Sequence, residues 1–172
     1  PKLPASFPVP ILIVQHMPVG FTDSFAKRLD GIGTVPCQEA RDRDHVTPGL
    51  ALLAPGGKHM TVRPGGIIHL TEEPPLHGVR PAADYLFLTA GDVYGARVVG
   101  AVLTGMGRDG AEGSAVLRRR GANVFGECEA SCTIYGMPKA AMQAGGIVSE
   151  HPIHELAGVL IEAVAGRLAN AS

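Results

Sequence analysis

Two short stretches carry residue types that can do acid–base chemistry. In ILIVQHMPVGF, residues 11–21, branched apolar residues lead into Gln15 and His16 before Pro18 ends the run. A buried strand closes more cheaply on apolar side chains, so a glutamine and a histidine at its end suggest that the strand ends at a cleft. In AVLTGMGRDG, residues 101–110, a second apolar run passes into a glycine-rich turn and then a helix. Amides near a helix N-terminus, Met106 among them, can donate to an oxyanion. Asp109, at the start of that helix, can accept the ring N–H of a histidine and fix its tautomer for general-base work. Together His16 and Asp109 supply two thirds of a hydrolase triad. Each also has a plainer role: Asp109 as an N-cap, His16 as a strand-end histidine bonded to a carbonyl.

Other groups weigh less. GMGRDG is a literal G-x-G-x-x-G, which would make Glu127 the ribose acid of a nucleotide site. Asp109, however, brings negative charge to the turn that would hold the pyrophosphate. Ser131 and Cys132 follow another strand, and they read more simply as a cap hydroxyl and an inert thiol. The remaining histidines, His45, His59, His69, His77, His151 and His154, show no metal-ligand spacing and mostly read as surface or turn residues; no metal and no cofactor is expected.

These positions require strands that end at one face. After strand 11–14, Thr22 caps a short helix closed by Gly31 or Gly33. Segments 50–53, 60–63 and 67–70 read as short hairpin-like strands. A helix from Ala83 stops at Gly95, and RVVGAVLTG is a strand covered on both faces. Helix 111–120, strand 123–126, a helix near Pro138, a short strand in GIVSE and an amphipathic final helix complete the series. Alternating buried strands and helices give an α/β fold: a doubly wound, mostly parallel sheet with helices on both faces and a small β-hairpin region. Ligands bind such sheets beyond the carboxyl ends of the strands, where His16 and the 104–110 loop lie.

Composition agrees with one folded domain. The 172 residues are 45% hydrophobic and 18% charged, with a net charge of -1 and no basic stripe for nucleic acid. No apolar run is long enough to span a bilayer, and there is no signal peptide, so neither membrane insertion nor export is expected. Three cysteines, with Cys128 and Cys132 spaced C-x3-C, suit reduced thiols in the cytoplasm.

The segments VQHMPVGFTDSFAKRL, LLAPGGKHMTV, VRPAADYLF, AVLTGMGRDGAEG and EASCTIYGMPKAA make the chain, from about Pro10 onward, resemble the catalytic domain of the CheB family of chemotaxis protein-glutamate methylesterases. The resemblance implies a doubly wound α/β fold and hydrolysis of glutamate γ-methyl esters on chemoreceptor cytoplasmic domains, often with glutamine deamidation. It implies a Ser–His–Asp triad in that chain order, with His16 as general base, Asp109 as orienting carboxylate and the Met106 amide as oxyanion donor. Arg80, in a family motif, receives no catalytic role. The family's nucleophile sits on a Gly-x-Ser turn upstream of the QHMP histidine, and Ser6, in a proline-rich lead-in, does not fit that turn. Residues 1–172 are therefore expected to be an N-terminally incomplete catalytic domain, inactive alone, with a receiver domain further upstream. The competing readings are a nucleotide-binding module using Gly105–Gly110 and an inactive receptor-binding domain.

Overall fold

A computed structural model describes residues 3–169. They form two compact units, divided between Thr89 and Ala90.

The first unit holds a three-stranded parallel sheet in the order β1 (Ile11–Ile13), β3 (Ala51–Leu53), β2 (Cys37–Glu39). The apolar run ALL takes the central place, and Leu52 and Leu53 are 1% and 0% exposed. Removing each from water is worth about 1.5–3 kcal/mol, which fixes β3 between its neighbours. The sequence expectation put this segment in a hairpin; it is instead the middle of a parallel sheet. β2 was not foreseen, because Cys-Gln-Glu is too short and too polar to show strand periodicity. The hairpin is β4 (His59–Arg63) against β5 (Ile67–Thr71), antiparallel with Arg63 opposite Ile67.

Helix α1 runs Thr22–Ile32 and buries Thr22 and Ala26. Thr22 is not its cap. Phe21 holds the N-cap position, and the Thr22 hydroxyl donates to Glu39 Oε1 (2.5 Å) and accepts the Gly56 amide (2.9 Å). The threonine thus ties the helix start to β2 and to the loop after β3.

His59 is the exception among the scattered histidines named from the sequence. It lies in β4, fully buried and stacked on Tyr85 at a 4.0 Å centroid distance. Its Nδ1 accepts the Ala82 amide (3.1 Å), so the ring is neutral and its Nε2–H faces the Pro74 carbonyl (3.2 Å). Helix α2 (Ala83–Tyr94) follows, with the boundary between the units inside it.

In the second unit, a parallel sheet has the order β6 (Val99–Val102), β7 (Asn123–Glu127), β8 (Ser149–His151). Helices α3 (Ala111–Arg119), α4 (Met137–Gln143) and α5 (Ile153–Ala169) pack on these strands. Leu117 of α3 and Val124 of β7 are both 0% exposed and anchor this core. Parallel strands joined through helices, together with the small antiparallel hairpin, are the α/β pattern anticipated from the alternation of apolar runs. No helix among the described residues is long and apolar enough to cross a membrane.

Candidate functional site

In the first unit, β1 ends at Ile13, whose carbonyl accepts the Ala54 amide at 2.8 Å. The chain then leaves the sheet, with Gln15 exposed and His16 half-buried. The expected strand therefore stops one residue early, and His16 stands on the loop beyond the strand's carboxyl end.

The same unit contains a histidine–carboxylate pair that sequence reasoning passed over. His77 Nε2 lies 3.0 Å from Oδ2 of Asp84, whose side chain is 1% exposed. His77 has a φ of 53°, left-handed backbone that a residue with a Cβ seldom adopts. The two straddle a turn, and neither stands at the end of a strand, so no strand pattern in the sequence marks them. Arg80 in that turn donates from Nη1 to the carbonyls of Glu72 (2.8 Å) and Glu73 (3.0 Å). That is a loop clamp.

In the second unit, the loop after β6 is pinned to the segment before α4. The Thr104 hydroxyl donates to the Ile134 carbonyl (3.2 Å) and accepts the Ile134 amide (2.9 Å). Gly105 receives the Met137 amide (2.8 Å) and gives its own amide to Ile134 (3.0 Å). A Cβ on Gly136 would lie 2.6 Å from the Gly105 carbonyl oxygen, so only glycine permits this approach. The side chains around the loop face outward, with Leu103 43%, Met106 79% and Ile134 48% exposed.

Asp109 is 2% exposed. It does not start the helix, because Gly110 takes the N-cap position with φ 85° and α3 begins at Ala111. A left-handed N-cap turns the chain sharply and leaves Asp109 one residue outside the helix. The loop thus combines a buried carboxylate with an outward-facing Met106, on backbone fixed by paired hydrogen bonds.

Glu127, at the end of β7, is 2% exposed. Its Oε2 accepts the Thr104 amide (2.9 Å) and its Oε1 accepts the Ser131 hydroxyl (2.9 Å). A carboxylate so enclosed cannot reach a ribose, which removes the acid that the nucleotide reading needed. Ser131 Oγ also accepts the amide of Ile153, the first residue of α5 (3.0 Å), so its hydroxyl serves as a helix cap. Cys132 places Sγ 3.6 Å from the Glu127 carbonyl oxygen, and burial, followed by the charge of Glu127, raises its pKa. It stays a thiol at neutral pH, the poor nucleophile of the pair thiol and thiolate. Tyr135, bonded to Glu150 Oε1 at 2.5 Å, has its phenol pushed up to about 12 by that hydrogen bond and holds its proton equally firmly.

Residues 1–160 match the family model described as CheB methylesterase. The chain belongs to the CheB methylesterase family. It is 44% identical over 165 residues to a protein-glutamate methylesterase/protein-glutamine glutaminase of Clostridium acetobutylicum, covering 96% of this chain and 48% of the relative. A protein of the same name from Pyrococcus abyssi is 45% identical over 167 residues, covering 95% and 45%. This CheB-family chain thus spans about half the length of the curated relatives it matches. The crystal structure of the Thermotoga maritima CheB methylesterase catalytic domain superposes with a TM-score of 0.89 at 36% identity, covering 93% of this chain and 86% of that one. The doubly wound α/β fold inferred from the resemblance is the fold of that domain.

Proposed function

We propose that this CheB-family chain provides the base, the orienting carboxylate and the oxyanion donor for hydrolysis of glutamate γ-methyl esters on chemoreceptor cytoplasmic domains, with glutamine deamidation as a second activity. The observation that carries the reading is the β6–α3 loop, where a buried Asp109 is set beside the exposed Met106 on braced backbone. That the relatives are protein-glutamate methylesterase/protein-glutamine glutaminases supports the substrate class.

In the proposed reaction a serine oxygen attacks the ester carbonyl while His16 takes its proton. Asp109 holds the imidazole in the accepting tautomer and stabilises the imidazolium. The negative charge on the tetrahedral oxygen meets the Met106 N–H. His16 then returns the proton to the departing methoxide, releasing methanol, and a water deprotonated by His16 hydrolyses the acyl-serine. The nucleophile is assigned to a Gly-x-Ser turn upstream of Ile11, in a longer cytoplasmic protein that also carries a receiver domain. Ser131 and Cys132 are not assigned that role, since one is a helix cap and the other a protonated thiol.

Methanol release from methylated receptor, and ammonia release from its glutamine form, test the reading on the full-length protein. Methanol release at a rate far above that of buffer is expected; release of neither product would overturn it.

A further inference from the structure

The N–H of Met106 belongs to the Gly105–Met106 peptide, and the other polar group of that peptide is held from behind. The Gly105 carbonyl oxygen accepts the amide of Met137, the first residue of α4, at 2.8 Å. The peptide is trans and planar, so its C=O and N–H point in opposite directions. Fixing the carbonyl toward α4 therefore aims the Met106 N–H away from α4. Among the described residues that N–H has no protein acceptor, and Met106 is exposed. A donor fixed in this way needs no reorganisation when charge develops on a substrate oxygen.

Two residues limit how far the peptide can move. Gly136 is not required for its backbone angles, since its φ of -101° lies outside the left-handed region that favours glycine. What matters is the missing side chain. A Cβ there would stand 2.6 Å from the Gly105 oxygen, 3.2 Å from the Gly107 nitrogen and 3.3 Å from the Met106 Cα. All three are backbone atoms in or beside the peptide. Ordinary C···O contact begins at about 3.3 Å, so a methyl at Gly136 drives the peptide outward by several tenths of an ångström. Thr104 closes the other end. Its hydroxyl accepts the Ile134 amide at 2.9 Å and donates to the Ile134 carbonyl at 3.2 Å. The Gly105 amide donates to the same carbonyl at 3.0 Å. These bonds keep the segment from Ile134 to Met137, and with it the Met137 amide, against the loop.

We propose that Gly136 and Thr104 are positioning residues for ester hydrolysis: they set the plane of the Gly105–Met106 peptide and so the aim of the oxyanion donor. The proposal rests on the esterase reading above, with the Met106 N–H as donor. Neither side-chain position contacts the substrate. Their influence reaches the transition state through one peptide, so it falls on kcat and not on receptor binding. Losing one oxyanion donor costs about 10²–10³ in kcat, and a donor displaced by less than about 1 Å loses part of that.

The test uses the full-length protein with methylated receptor cytoplasmic domain, each variant first shown to fold by urea unfolding. Gly136→Ala should lower kcat for methanol release about 10–100-fold and leave KM within about twofold of wild type. Phenylboronic acid, whose tetrahedral adduct with a serine seats an oxygen at the oxyanion donor, should inhibit this variant more weakly by a similar factor. Thr104→Val keeps the shape without the hydroxyl and should lower kcat about tenfold at unchanged KM, while Thr104→Ser should restore most of it. A smaller folded fraction lowers the rate but leaves the inhibition constant alone; a misaimed donor moves both. Gly136→Ala with kcat within twofold of wild type, or with lowered kcat and unchanged boronate inhibition, would overturn the proposal. If Gly136→Ala does not fold, Thr104→Val and Thr104→Ser decide it on the same two readouts. Absence of methanol release by the unaltered protein would overturn the esterase reading and this proposal together, whereas an active wild type with insensitive variants overturns this proposal alone.

Discussion

Ser131 donates its hydroxyl to Glu127 at 2.9 Å, and the same oxygen receives the first amide of α5. Glu127 uses its other oxygen on the Thr104 amide, so one buried carboxylate ties the end of β7 to the start of the β6–α3 loop and to a helix N-terminus. The geometry of the pair is that of a brace.

Removing the brace should cost stability before it costs chemistry. Glu127→Ala leaves the Thr104 amide and the Ser131 hydroxyl without their acceptor, at about 1–3 kcal/mol for each buried donor. Urea unfolding should show a total loss of several kcal/mol, whereas a change below about 1 kcal/mol would mean that water replaces the carboxylate readily.

Ser131→Ala should cost about 1 kcal/mol as a lost cap and leave turnover of the full-length protein largely intact. Residues 1–172 alone should release no methanol and take up no fluorophosphonate probe. Stoichiometric labelling at Ser131 would contradict this, and would make the chain a complete enzyme.

His59→Phe keeps the stacking surface against Tyr85 but removes the acceptor for the Ala82 amide and the donor to the Pro74 carbonyl. The expected loss is about 1–3 kcal/mol, chiefly from the buried Ala82 amide left unpaired, since Pro74 is exposed and water reaches its carbonyl. Thermal unfolding within a degree or two of wild type would show that the histidine fills space and nothing more.

Asp42 titrates low, chiefly because the Leu70 amide bonds its carboxylate and secondarily through His69. A carboxylate whose pKa falls on folding stabilises the protein above its unfolded value, and that contribution is lost as pH drops through the folded value. The window lies below about pH 4. Asp42→Asn should flatten the acid limb of stability measured by urea midpoint from pH 5 downward. Parallel curves for variant and wild type would show that the bonds to Leu70 and His69 do not discriminate between folded and unfolded chains.

Much of the fold was legible because it rests on long apolar runs and glycine stops. VGAV became β6, NVFGE became β7, and Gly95 follows the end of α2. What could not be read depends on contacts between distant residues. β2 exists because Cys37–Glu39 pairs with the buried β3, a partner invisible in three polar-leaning letters. Thr22 looked like a cap, yet Glu39 and Gly56 claim its hydroxyl from outside the helix. Asp109 was legible as a residue of interest by its place after an apolar run; its burial, and the left-handed Gly110 that puts it outside the helix, were not.

The proposed reaction makes His16 and Asp109 one unit, with Asp109 orienting the imidazole that takes the serine proton. Initial rates of methanol release from methylated receptor should be measured for full-length His16→Ala, Asp109→Asn and the double variant. The account predicts that each single change lowers kcat by about 10³–10⁴ or more, and that the double variant is hardly worse than His16→Ala, as groups acting as one unit behave. A near-wild-type rate for either single variant, or losses that multiply in the double, would contradict it.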